Sequence, residues 1–167
     1  MIDTHCHLDA CDPPDGRLVE RARERGVTRI ATVGTDGPSI GRALYAAGAH
    51  EGVVAIVGRH PHETAGFDAA DLEEIERVAA DPRARAIGDY YRDHAPRADQ
   101  RRAFEAQLEL AARLGLPVAI HTRAAEEDTF AILREHVARL PAVIMHCFSA
   151  PERLAECVER RDLCSFA

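Results

Sequence analysis

A chain of 167 residues, 46% hydrophobic and 29% charged, is long enough to bury one core and predicts a single domain over residues 1–167. Its formal net charge of −7, from 28 acidic residues against 21 basic ones that are all arginine, argues against a broadly basic surface for nucleic acid or anionic membrane. Phosphate would then have to be captured by a local arginine patch or by bound cations. Five cysteines without a close pair, an N-terminus (MIDTHCHLD) lacking the regions of a signal peptide, and no apolar run near the roughly 18 residues of a membrane span predict reduced thiols and a cytoplasmic protein intact at its start.

Short apolar runs alternate with charged segments along the whole chain. Strands are predicted at MIDTHCH, VTRIATVG, GVVAIVG, ARAIG, LPVAIHT and PAVIMHC, with a seventh beginning in DLCSFA. Between them the apolar residues take a helical period. Leu18, Val19 and Ala22 precede Gly26, and Leu72, Ile75 and Val78 precede Pro82. Phe104, Leu108 and Ala111 precede Gly115, and Phe130, Leu133 and Val137 precede Pro141. Such alternation predicts a parallel sheet with covered faces, either an open doubly wound sheet or a (β/α)8 barrel. Both gather their active residues at the carboxyl ends of the strands.

Six of the nine histidines fall at or just beyond predicted strand ends: His5, His7, His60, His62, His121 and His146. Residues two apart on a strand share a side, so His5 and His7 in THCHLD can reach one cation while Cys6 faces the other way. His121 in AIHTR and His146 in IMHCF can reach the same mouth from neighbouring strands. Neutral imidazole suits Zn, Mn or Fe better than Ca. Alone, His121 or His146 is more readily a wet polar residue at a strand end than a ligand; their joint placement is what favours a metal site. His60 and His62 in GRHPHE suit a substrate-binding or supporting role. Arg92 and Arg123, just after strands four and five, are candidates for bidentate phosphate recognition. Cys6 and Cys147 are expected to pack as small hydrophobes.

These motifs, in this order, resemble the TatD family of metal-dependent deoxyribonucleases within the wider metal-barrel hydrolases. DTHCHLD resembles the family's opening motif and GRHPHE its next histidine motif. DYYRDHAPRADQRRAFEAQLELAARLGLPVAIHTR resembles its central signature, and MHCFSA its later histidine motif. The resemblance implies a (β/α)8 TIM-like barrel, here incomplete, with roughly six βα units and the start of a seventh strand. It also implies two divalent ions (Mg, Mn or Zn) that activate water against a phosphodiester, most plausibly in DNA. By resemblance His5 and His7 hold the first ion and His121 and His146 the second, a strand-four glutamate bridges them, and His62, with His60, contacts the scissile phosphate or an activating water. Other readings are a metal-barrel hydrolase of another ester or amide, weakened by the absence of a carboxylatable lysine, and a non-catalytic metal-binding paralogue or fragment.

Two departures from the family pattern stand out. After AIG this chain passes directly to DYYRD, so about four residues, including the bridging glutamate, are missing next to Gly88. The family's later metal-binding aspartate and eighth strand lie beyond DLCSFA. Asp89 then aligns with the aspartate of the family's aspartate-tyrosine pair, with a role in ordering the loop or supporting the ligands. Its alternative role is that of a catalytic stand-in for the glutamate, one methylene shorter. The chain as written is expected to bind metal weakly and to be poorly active.

Overall fold

A computed structural model describes residues 1–12, 15–60, 63–91, 95–122, 125–146, 148, 150–159 and 164–166, with backbone alone at 89–91, 122, 158–159 and 164–166. Among the described residues seven strands alternate with six α-helices. In chain order these are β1 (Ile2–Cys6), α1 (Asp15–Glu24), β2 (Arg29–Gly34), α2 (Gly37–Ala49), β3 (Val53–Val57), α3 (Ala69–Ala79) and β4 (Ala84–Tyr91). Then follow α4 (Arg97–Leu114), β5 (Val118–Thr122), α5 (Glu126–His136), β6 (Val143–His146), α6 (Leu154–Glu159) and β7 (Cys164–Phe166).

The strands form one sheet in the order β1 to β7, and every pairing is parallel. Strictly sequential order decides between the two architectures left open by the sequence. A doubly wound sheet reverses direction at a switch point, whereas a barrel adds each strand beside the last. The fold is therefore part of a (β/α)8 barrel, as expected.

Local chemistry sets the helix ends. The carboxylate of Asp36 accepts from the Ser39 amide at 2.7 Å while the Ser39 hydroxyl receives the Asp36 amide at 3.0 Å, a reciprocal cap that starts α2. Asp68 and Asp71 cap α3 in the same way. α4 ends at Gly115, whose φ of 65° is the left-handed conformation that glycine adopts without a side-chain clash.

Packing divides into two layers by strand alternation. Ala55, Val57, Ile87, Val118, Ile120, Val143 and Met145 face the helices and meet Ile40, Ile75, Phe104, Leu108 and Phe130. Each large side chain fully buried there contributes roughly 1.5–3 kcal/mol. Val33, Ile56, Ala86 and Ala119 form the opposite, inner layer, with Ala31 and Ile144 packed against them.

Strand four runs further than expected. β4 continues past Gly88 to Tyr91, pairing Gly88 with Ala119, Asp89 with Ile120 and Tyr90 with His121. Asp89 is thus a strand residue rather than a loop residue. Asp89 and the two tyrosines follow Gly88 directly and take up the ladder with β5.

Candidate metal centre

The carboxyl ends of β1 to β6 surround a chamber of about 160 Å³. His5 and His7 enter it from β1 and its exit, His121 from β5, His146 from β6 and His60 from the segment after β3. His121 and His146 are register partners on adjacent strands, which explains their approach: ring centroids 5.4 Å apart. The His5 and His7 rings lie edge to face at 5.2 Å, and His5 stacks flat on His146 at 3.5 Å.

β1 reaches this arrangement through a bulge. Asp3 pairs with Ile30 but Cys6 with Thr32, so β1 carries one extra residue between them. The Asp3 carboxylate accepts the His5 amide at 3.1 Å across that irregularity, and the Leu8 amide donates to the Thr32 hydroxyl at 3.2 Å just after it. The Nδ1 of His7 lies 3.2 Å from the Val33 carbonyl. A carbonyl can only accept, so the His7 Nδ1 carries the proton of this bond, and in the neutral ring the lone pair is on Nε2.

Burial, then the neighbouring His146, His7, His121 and His60, pushes His5 down to about 3. His146 is lowered by burial and by His7, against a small opposing pull from Asp3. Both rings are neutral at physiological pH, which is the metal-binding form. Among the described residues the Nδ1 atoms of His5 and His146 are buried without a hydrogen-bond partner. Orphaned ring nitrogens in a shared chamber are costly unless something binds them.

Those two nitrogens make the donor set fit a divalent cation that prefers imidazole. It fits a carboxylate-bridged pair poorly. None of the described residues lining the chamber is a carboxylate; beside the histidines are Val33, Gly34, Thr35, Gly58, Gly88 and Ala119. Two divalent ions at the roughly 3.7 Å spacing of a bridged pair repel by roughly 18 kcal/mol at an effective dielectric constant of about 20, which a bridging anion normally offsets. Among the described residues no three His, Cys, Asp or Glu side chains already converge as a metal site. The stacked His5 and His146 rings would have to turn to receive an ion.

Glycines bring the backbone close around the mouth. A Cβ on Gly58 would sit 1.9 Å from the Gly88 carbonyl oxygen, and one on Gly34 would sit 2.4 Å from the Cα of Ile40 at the start of α2. The segment carrying His60 is anchored twice. Its own amide donates to the Thr35 carbonyl at 3.1 Å, and the Arg59 amide donates at 2.8 Å to Oε1 of the fully buried Gln107 on α4. The Arg59 guanidinium reaches Asp71 and Glu74 of α3 at 3.0 and 2.6 Å.

The structure thus brings together five of the sequence-predicted residues: His5, His7, His60, His121 and His146. His62, Arg92 and Arg123 lie outside the described residues, as does Cys147, and Asp89 is described by its backbone alone. Cys6 packs with the cluster around Leu8 and Val19, and burial pushes its thiol up to about 12, in keeping with a packing role. Sequence reasoning missed Asp3, Thr35 and Gln107. The capping pattern TDGPS around Thr35 and a glutamine on the apolar face of α4 were the available signals.

A partial parallel barrel with clustered imidazoles at its carboxyl end defines a metal-barrel class of protein. Within that class, the TatD-related DNase family model matches residues 2–167. The chain belongs to the TatD family. It is 36% identical over 173 residues to YabD of Bacillus subtilis, described as an uncharacterized metal-dependent hydrolase, covering 99% of this chain and 68% of that one. It is also 36% identical over 148 residues to a 3'-5' ssDNA/RNA exonuclease TatD from Musicola paradisiaca, covering 85% of this chain and 56% of the relative. In structure it superposes on YJJV, a TatD homolog from Escherichia coli, with a TM-score of 0.83 and 27% identity, covering 99% of this chain and 66% of that one. The chain therefore spans about two thirds or less of these relatives.

Proposed function

We propose that this chain, as a single domain over residues 1–167, carries the metal-binding part of a hydrolase acting on the phosphodiester bonds of single-stranded DNA or RNA. The presence of His5, His7, His121 and His146 in the lining of one chamber carries this reading. Similarity to an exonuclease of single-stranded nucleic acid supports the substrate class. An ion held by these imidazoles would supply a hydroxide-like nucleophile at neutral pH and neutralise phosphate charge.

The protein's own groups prepare that chemistry. The Val33 carbonyl accepts the His7 Nδ1 proton, and burial disfavours the charged forms of His5 and His146, which leaves each of those two rings one nitrogen lone pair for an ion. His60, on its doubly anchored segment, and His62 beside it are assigned to the phosphate or the attacking water. Arg92 and Arg123 are assigned to the flanking phosphates, where paired N–H donors match paired oxygens. Asp89 is assigned the catalytic carboxylate position on β4. The acidic chain then relies on ion and arginines rather than on a basic surface. No helix among the described residues is long and apolar enough to cross a membrane, and the compartment we assign is the cytoplasm.

A non-catalytic metal-binding role is favoured by one observation, the lack of a carboxylate among the described residues lining the chamber. A 5'-labelled single-stranded oligonucleotide, incubated with the protein with and without added divalent ion, separates the two. Metal-stimulated shortening from the 3' end that disappears in His121→Ala supports the hydrolase, at a rate well below that of a longer relative. Tight metal binding without any cleavage, for DNA and RNA alike, would establish the non-catalytic role.

A further inference from the structure

We infer that Gln107, a residue of α4 outside the described lining of the chamber, is the positioning residue that delivers His60 into it. The inference rests on the reading of His60 as a group that meets the phosphate or the attacking water, and deepens it by naming what holds that group in place.

Three observations carry it. First, Gln107 is a polar side chain in an expensive place for one. It is fully buried on α4 among Ala103, Phe104, Leu108 and Ala111, where an apolar residue would pack with no polar group to satisfy. Second, both ends of its amide are committed. Nε2 donates to the Ala103 carbonyl one turn back at 3.3 Å, and Oε1 accepts the Arg59 amide at 2.8 Å beyond the exit of β3. The partners dictate that orientation, since a carbonyl can only accept and a backbone amide can only donate. Third, three successive residues beyond β3 are each held by a different neighbour. Gly58 lies so close to β4 that a Cβ there would sit 1.9 Å from the Gly88 carbonyl oxygen. Arg59 is held by Gln107, and the His60 amide donates to the Thr35 carbonyl beyond β2 at 3.1 Å.

The backbone at Arg59 is the branch point of this segment. The Arg59 guanidinium goes to Asp71 and Glu74 on α3, whereas His60, the next residue, lines the chamber. Fixing the Arg59 amide therefore fixes where the chain turns His60 inward. Without Oε1 that amide would lose its acceptor, and the segment would shift to find another. Gln107 acts on His60 through the backbone alone, which makes it a positioning residue and not a catalytic one.

The test follows the His60 ring by two-dimensional NMR in the whole 167-residue chain, free of metal, with its signals assigned by their loss in His60→Gln. Exchange of the Arg59 amide is measured on the same samples. Gln107→Leu, of similar size and without an acceptor, should move the His60 signals by more than a linewidth and speed Arg59 exchange at least about ten-fold, with the circular dichroism spectrum unchanged. Gln107→Glu keeps an oxygen at the same reach and should restore both. Leu108→Ala, a deletion in the same helix, should lower the urea midpoint and leave the His60 signals in place. If Gln107→Leu does not fold, Gln107→Met replaces it with the same expected result. His60 signals unmoved in the apolar variants, or moved as far by Leu108→Ala, would overturn the inference and make Gln107 a packing residue. Inorganic phosphate added with Zn²⁺ tests the underlying reading separately. A wild-type His60 ring that does not respond would remove its phosphate role, while displacement of the ring by Gln107→Leu would still support the positioning.

Discussion

The two ends of this sheet are built from the same strands and are chemically opposite. At the carboxyl end, five imidazoles and three glycines among the described residues surround a chamber of about 160 Å³. At the amino end the strands enclose a larger space of about 440 Å³, lined by Ile2, Val54, Ile56, Ala86, Pro117 and Ile144, with Arg29 and Arg85 among its other residues. A residue on β3 therefore serves aliphatic packing at Ile56 and close backbone approach just beyond the strand at Gly58. Parallel barrels separate stability from chemistry in this way because every strand end points in one direction.

Gly58→Ala should have the largest effect, since its Cβ would fall 1.9 Å from the Gly88 carbonyl oxygen and neither backbone can yield cheaply. A loss of more than about 4 kcal/mol in urea unfolding is expected. Gly41→Ala, in α2 with nothing within 4 Å of the added methyl, serves as the control and should gain up to about 1 kcal/mol.

Next come two substitutions that separate the ends. Ile56→Ala, at 1% exposure in the inner layer, should cost about 2–4 kcal/mol of stability and change Zn²⁺ affinity less than about three-fold. His121→Ala should do the reverse, weakening Zn²⁺ about 100-fold while moving the metal-free midpoint by less than about 1 kcal/mol. If both variants lost stability and metal together, the division between the ends would fail.

A smaller effect is expected with pH. His5 is lowered in the folded chain to about 3 from an ordinary value of 6.5, so between those values the unfolded chain binds the extra proton. Its stabilising contribution is present above about pH 6.5 and is lost as pH falls towards 3. With allowance for its partial exposure to solvent, the metal-free protein should lose on the order of 2 kcal/mol over that window, and His5→Gln should flatten the slope. The smallest effect is chemical. The Cys6 thiol, pushed up to about 12, should alkylate far more slowly at pH 8 than the exposed Cys11, as read by peptide mass spectrometry.

Much of this division was legible in the sequence because period and position coincide. Alternation placed His5 and His7 on one side with Cys6 on the other, and the helical periods before Gly26, Pro82, Gly115 and Pro141 located α1, α3, α4 and α5. The strand-end histidines could be grouped because parallel strands bring their carboxyl ends together whatever their spacing in the chain. What escaped depended on contacts with no local signature. The bulge that carries Asp3 is a register shift between β1 and β2, and Gln107 gains its role only where α4 crosses the exit of β3, 48 residues away. The extension of β4 to Tyr91 escaped for a related reason, since tyrosines after an aspartate read equally as loop until β5 offers a ladder.

The central claim is that the strand-end imidazoles of β1, β5 and β6 form one metal site. Anomalous scattering from crystals of the protein grown with Zn²⁺, with data on both sides of the zinc edge, tests it most directly. The account predicts a strong peak within bonding distance of nitrogens from His5, His7, His121 and His146. A chamber without a peak in a Zn²⁺-bound crystal, or a peak coordinated elsewhere on the chain, would contradict it.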